Sequence, residues 1–203
     1  MLQSSFIAVS AQGGGQDRIQ LVRLDGGVIF ALADGAGGRS GGAEAADLAT
    51  QLILKSADLL TTQEHCECLL RTIDGAISAD RIAGETTAIV AVVKTEKVFG
   101  ASVGDSGTWV LNGSNIDDLT VNQVRKPFLG SGAAMPVGFS RDRLYGTLLI
   151  ATDGLLKYTS REAIAGVVEK SDLNEAPEAL VNLVRYTSGN LPDDVAIALC
   201  RSI

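Results

Sequence analysis

The sequence predicts an α+β protein in which helices cover packed antiparallel sheets. Two observations carry that reading. Apolar runs of strand length recur along the chain, joined by Gly, Asp and Asn turns of the kind that make antiparallel hairpins. Two stretches of helical periodicity follow the first group of strands, and two more precede the last strand.

Phe6 to Val9 alternates weakly and predicts a first strand, followed by the flexible Gln12-Gly13-Gly14-Gly15-Gln16-Asp17 turn. Ile19 to Val22 is a short strand leading to the Asp25-Gly26-Gly27 turn. Val28 to Ala33 is six apolar residues in a row, a strand buried on both faces. It runs without a linker into Asp34, the Gly35-Ala36-Gly37-Gly38 cluster and a helix from about Gly42 to Lys55, marked by Ala45, Leu48, Ala49, Leu52 and Ile53. Cys66, Leu69, Leu70, Ile73 and Ile77 mark a second helix over roughly Thr62 to Ile82. Strands are predicted at Thr86 to Val93, Lys97 to Val103 and Thr108 to Leu111, with a Thr95-Glu96 connection and an Asn112-Gly113 turn. Residues 114 to 146 read as irregular, broken by Lys126-Pro127 and Met135-Pro136. A strand at Leu148 to Ala151 follows. Thr159 to Glu162 has capping-box spacing and opens a helix carrying Ile164, Val167 and Val168. Pro177 stands near the start of another helix, with Leu180, Leu183, Val184 and Thr187 on one face, and Val195 to Cys200 closes the chain as a strand.

Carboxylates recur where these strands end. Asp34 follows the buried strand, Gly104-Asp105 ends another, Thr152-Asp153-Gly154 a third, and Asp193-Asp194 immediately precede the last. An aspartate at the mouth of a buried strand is costly unless it is solvated, paired or bound to metal. Four such positions in one small chain point to a shared acidic centre, and hard oxygen donors suit Mg²⁺ or Mn²⁺.

Asp34-Gly35-Ala36-Gly37-Gly38, Gly84-Glu85-Thr86-Thr87-Ala88, Val103-Gly104-Asp105-Ser106, Thr152-Asp153-Gly154 and Asp193-Asp194-Val195 occur in an order that resembles the metal-dependent PP2C-type (PPM) protein serine/threonine phosphatases, in a compact, bacterial-like form. The resemblance runs from about Gln16 to the C-terminus. It implies a four-layer α-β-β-α sandwich of two antiparallel sheets flanked by helices. It also implies hydrolysis of phosphoserine and phosphothreonine in a phosphoprotein substrate by a metal-activated water. The cofactors implied are two Mn²⁺ or Mg²⁺ ions, with a third, weaker position. Two such ions about 3.5–4 Å apart can acidify one water and clamp phosphate oxygens.

Carried over residue by residue, Asp34 bridges both ions, Gly35 offers its carbonyl, and Asp153 and Asp193 hold one ion. Asp194 is the alternative to Asp193. Asp17 orients metal-bound water, and Asp105 marks the third position. Two residues depart from the family's pattern. Gln12 stands where the family commonly has a phosphate-docking arginine, leaving Arg18 and Arg39 as substitutes that no motif places. Ala36 stands where many eukaryotic members have a histidine. The missing arginine leaves open a weakly active or inactive regulatory relative that binds a phosphoprotein partner.

The bulk numbers exclude other classes. The 203 residues are most simply one domain, 1–203, and a net charge of −7 argues against nucleic acid as a partner. No apolar run reaches a membrane span, and the first residues lack the charged and apolar regions of a secretory signal. Three cysteines, an odd count, fit a reducing, cytoplasmic setting, and a monomer is expected. His65-Cys66-Glu67-Cys68 supplies no second ligand pair and reads as core or surface. Gly104-Asp105-Ser106-Gly107 has the look of a serine protease, but Trp109 follows and His65 is the single histidine. A dinucleotide site lacks its third glycine, Ser40 standing there.

Overall fold

The computed structural model describes residues 1–36 and 40–202. The strands are β1 (Leu2–Val9), β2 (Asp17–Leu24), β3 (Gly27–Asp34), β4 (Ala88–Lys94), β5 (Lys97–Val103), β6 (Gly107–Asn112), β7 (Asn115–Asp118), β8 (Val137–Asp142), β9 (Thr147–Ala151) and β10 (Val195–Ser202). The helices are α1 (Gly42–Lys55), α2 (Gln63–Ala79), α3 (Asp153–Leu156), α4 (Arg161–Lys170) and α5 (Ala176–Val184). The strands form two five-stranded sheets, ordered β1-β10-β9-β6-β7 and β2-β3-β4-β5-β8, with every pairing antiparallel.

Strand alternation sorts the apolar side chains into three cores, and these define the layers. In β3, Val28, Phe30 and Leu32 face the other sheet, where they meet Leu148 and Ile150 of β9 and Ala196, Ala198 and Cys200 of β10. The alternate residues Ile29, Ala31 and Ala33 face Ala45, Ala49 and Ile53 of α1, alongside Cys66, Leu70, Ile73 and Ile77 of α2. On the far side, Leu149, Ala151, Val195, Ile197 and Leu199 meet Ile164 and Val168 of α4 and Leu180, Val181 and Val184 of α5. Each large side chain so buried contributes about 1.5–3 kcal/mol. The result is the four-layer α-β-β-α sandwich.

Local chemistry moves several boundaries. The helix expected to reach Ile82 stops at Ala79, because the Asp80 carboxylate accepts the main-chain N–H groups of Ile82 and Ala83 at 2.8 and 2.9 Å. That turn offers the backbone an alternative to the helix. The cap of α4 is Ser160, accepting from Ala163 N–H, one residue later than the capping-box reading. Helix α5 ends at Val184, so Thr187 lies beyond it, and Leu183 turns outward while Val181 is buried. The segment 114 to 146 holds two strands, β7 and β8, each pairing at a sheet edge.

Candidate active site

The antiparallel connections bring the carboxylate-bearing strand ends to one end of the sandwich. Asp17, the first residue of β2, is the register partner of Asp34, the last of β3. Asp105 follows β5, whose Val103 pairs with Ala88 at the start of β4. Asp153 opens α3 directly after β9, and Asp193 and Asp194 precede β10, whose Ile197 pairs with Ala151. A cleft of about 430 Å³ results. Asp34, Gly35, Asp105, Asp153, Asp193 and Asp194 line it, with Gln16, Ala36, Glu85, Thr87, Lys126 and Phe128.

Specific bonds and close main-chain contacts position these residues. The Gly84–Ala88 segment fixes the Asp34 main chain: Thr86 Oγ1 and Thr87 N–H donate to the Asp34 carbonyl at 2.9 and 2.8 Å. Thr87 Oγ1 accepts the Asp34 N–H at 3.0 Å. Gly35 has to be glycine, since a Cβ there would stand 2.3 Å from the Gly42 carbonyl oxygen at the start of α1. Gly154 is equally constrained: a Cβ would lie 1.8 Å from the Asp194 carbonyl oxygen, so Asp153 and the Asp193–Asp194 pair share one tight main-chain contact. Thr152, fully buried, donates from Oγ1 to Asp17 Oδ2 at 2.7 Å and accepts the Ala196 N–H at 2.9 Å.

Asp193 and Asp194 divide their roles. Both oxygens of the Asp194 carboxylate accept main-chain N–H groups, from Ala11 at 2.8 Å and Gln16 at 2.6 Å, which ties the N-terminal turn to the cleft. Asp193 is exposed and accepts from its neighbour's N–H on one oxygen at 3.0 Å. The Asp105 carboxylate is engaged by Arg125, at 2.9 Å from Nε and 2.8 Å from a terminal nitrogen.

Crowding of like charges in a poorly solvated cleft favours the protonated forms. Burial, followed by the Asp17 and Asp153 charges, holds the Asp34 carboxyl well above the usual range. Burial raises Asp17 too, against the opposing bonds from Thr152 and Asp34. Asp153 is raised by burial, then by Asp105 and Asp193. Among the described residues no group of three or more carboxylate, histidine or cysteine side chains is closed to metal-ligand spacing. Asp17 and Asp34 face each other as register partners at the ends of β2 and β3. The donor set fits a hard divalent cation nonetheless: the acidic groups bring oxygen alone, and Gly35 itself lines the cleft beside them.

Of the two expected substitutes for the phosphate-docking arginine, Arg18 does not line the cleft. Arg18 leaves β2 on the helix side, where Asp47 of α1 grips it at 2.6 and 3.1 Å, and its remaining donors go to the Gly15 and Asp17 carbonyls. Arg39, like Gly37 and Gly38, lies outside the described residues. Gln12 is exposed in the N-terminal turn and does not line the cleft. His65 and Cys68 lie on the exposed side of α2, and Cys66 fills the core beneath it, its thiol pushed up to about 12 by burial. Sequence reasoning missed Thr152, Lys126 and Asp74. The one signal for Lys126 is that Arg125-Lys126 is the only adjacent pair of basic residues in the chain.

The layering and the acidic cleft at one end of it define a PP2C-like fold. The chain matches the protein phosphatase 2C family over residues 9–186. It belongs to that family, and so is classed with the protein serine/threonine phosphatases. No curated protein matches it significantly. Among solved structures it is similar to a bacterial serine phosphatase at 20% identity and a TM-score of 0.84, covering 98% of this chain and 97% of that one. The serine/threonine phosphatase Stp1 from Staphylococcus aureus is 19% identical with a TM-score of 0.80, covering 100% and 96%. The catalytic domain of the serine/threonine protein phosphatase PstP, in complex with two manganese ions, is 19% identical with a TM-score of 0.78, covering 98% and 97%. At these identities the structural likeness establishes the fold.

Proposed function

We propose that this chain is a metal-dependent phosphoprotein phosphatase that hydrolyses phosphoserine and phosphothreonine in protein substrates. The observation that carries the reading is the meeting of Asp34, Gly35, Asp105, Asp153 and Asp193 on one open cleft. Asp34, Gly35, Asp153 and Asp193 would hold two Mn²⁺ or Mg²⁺ ions, and Asp105 would serve a third, weaker position. Bound there, the two cations would lower the pKa of water at neutral pH and offset the charge of the phosphate.

The chain's own residues supply the geometry. The two threonines Thr86 and Thr87 lock the Asp34 main chain, leaving the carboxylate directed at the cleft. Gly154 lets Asp153 and Asp193 approach from two different elements. Thr152 holds the buried Asp17 carboxylate at the register position opposite Asp34, from where it would orient water bound at the site. Asp194 ties down the N-terminal turn and is not a ligand in this scheme, which gives that role to Asp193. A non-catalytic, partner-binding role gives no reason to keep carboxylates that repel one another without cations. No helix among the described residues is long and apolar enough to cross a membrane.

The test is hydrolysis of a phosphoserine peptide and a chromogenic phosphate ester with Mn²⁺, with Mg²⁺ and with excess chelator. Turnover is expected with either ion and none in chelator. Undiminished turnover in chelator, or none under any metal condition, contradicts the reading.

A further inference from the structure

A phosphate dianion entering this cleft meets Asp34, Glu85, Asp105, Asp153, Asp193 and Asp194 on its walls. Among the described residues that line the cleft, Lys126 is the single cation. Among the other described basic groups near the cleft, Arg18 is committed to Asp47 and Arg125 to Asp105, while Lys157 stands over the Tyr158 ring and does not line the cleft. We propose that Lys126 docks the phosphate of the substrate, in place of the arginine that Gln12 replaces. The proposal rests on the phosphatase reading and assigns its substrate-binding group.

The loop that carries Lys126 is fastened to the catalytic strands. Leu129, fully buried, exchanges both main-chain hydrogen bonds with Thr86 at 3.0 Å, and the Thr86 hydroxyl in turn donates to the Asp34 carbonyl. From the other side, the buried carboxylate of Asp74 on α2 accepts three main-chain N–H groups of the same loop. These are Gly130 at 2.7 Å, Gly132 at 3.1 Å and Ala134 at 3.0 Å. Lys126 therefore enters the cleft from a seat only three residues away from a residue bonded to the Asp34 support.

Among the described residues the Lys126 ammonium donates no hydrogen bond that the structure records. Among the described residues it makes no ion pair, and it lies 5.3 Å from the centre of the Phe128 ring, another wall of the cleft. A cation–π contact of that kind biases where the charge sits without using its three donors. Lysine binds phosphate as a compact point charge rather than through a planar fork, so it supplies attraction with little demand on orientation. That predicts an effect on binding, shared by ground state and transition state, more than on turnover.

The experiment compares wild type, Lys126→Met, Lys126→Arg and the control Lys97→Met. Lys97 is also an exposed lysine above a phenylalanine, at the opposite end of β5 from Asp105. Two quantities are measured: KM and kcat for the chromogenic ester with saturating Mn²⁺, and the affinity of the magnesium-saturated protein for inorganic phosphate by calorimetry. Lys126→Met is expected to raise KM and weaken phosphate binding about tenfold, with kcat within about twofold. Lys126→Arg should stay within about threefold of wild type and Lys97→Met unchanged. Phosphate affinity and KM within twofold of wild type in Lys126→Met overturn the proposal, as does a wild type that binds no phosphate. If wild type binds phosphate through Lys126 but turns over no ester with any metal, docking stands and the phosphatase reading fails.

Discussion

Replacing Thr152 with valine keeps the shape of a fully buried side chain and removes one hydroxyl that serves two partners. The Ala196 N–H, now 2.9 Å from Oγ1, would lose its acceptor, and Asp17 Oδ2 would lose a donor at 2.7 Å. An unsatisfied buried N–H costs about 1–3 kcal/mol, and a hydrogen bond to a charged group contributes about 1.5–3 kcal/mol. Asp17 is held above the usual carboxylate range, so the second contribution belongs at its lower end. Together they give a loss of roughly 2.5–4 kcal/mol, which for a chain of this size lowers Tm by roughly 5–15 °C. The assay is thermal unfolding of the metal-free protein at pH 7, with Thr152→Ser as the variant that restores the hydroxyl. The serine variant should recover most of the loss. Turnover with Mn²⁺ should also fall in the valine variant, by roughly tenfold or more, because Asp17 is no longer held opposite Asp34. A Thr152→Val protein that melts within about 2 °C of wild type would refute the reasoning.

Two further outcomes follow from the crowded carboxylates and the contact beneath them. The carboxyls of Asp17, Asp34 and Asp153 all lie above their unfolded-state value, so the folded metal-free protein binds more protons than the unfolded one. Its stability is therefore greatest in mild acid and falls as pH rises from about 4 up through those raised values; a Tm that rises from pH 5 to pH 8 without metal would contradict this. Cation binding requires the deprotonated forms, so the Tm gained from Mn²⁺ should grow over the same range. Gly154→Ala places a methyl group where the Asp194 carbonyl now stands, so α3 and the Asp193–Asp194 segment must separate. Thermal unfolding should show a loss of about 1–3 kcal/mol, and Mn²⁺-dependent turnover should drop with it. An alanine variant with wild-type turnover would show that Asp153 and Asp193 do not act together.

The parts of this molecule that a reader of the sequence can find are those whose cause is local. Helix α1 is legible to its ends because Ala45, Ala49 and Ile53 repeat at helical spacing on a buried face. Val28 to Ala33 is legible because a strand covered on both sides tolerates no polar residue, and Asp34 stands out where that run stops. The edge strands are illegible for the opposite reason. Asn115–Asp118 has one apolar residue, and Val137–Asp142 alternates through Gly138, Ser140 and Asp142 after a proline, as suits an edge that must not invite further pairing. In the site, the aspartates carry their own signal by standing at strand ends. The groups that place them do not: Thr152 looks like any threonine until Asp17 and Ala196, remote in sequence, are seen to share its hydroxyl. Asp74 likewise sits mid-helix with nothing in its neighbourhood to announce the loop it holds.

The account stands or falls on whether the carboxylates of this cleft hold the cations that do the chemistry. The most direct measurement follows Mn²⁺ binding and phosphoserine-peptide hydrolysis together in one titration, for wild type, Asp34→Asn and Asp153→Asn. Wild type should bind two Mn²⁺ per chain, with turnover rising as the second site fills. Each asparagine variant should remain folded, lose at least one of the two ions and lose nearly all turnover. Wild-type binding and turnover in Asp34→Asn, or hydrolysis by wild type that is indifferent to Mn²⁺ occupancy, would contradict it.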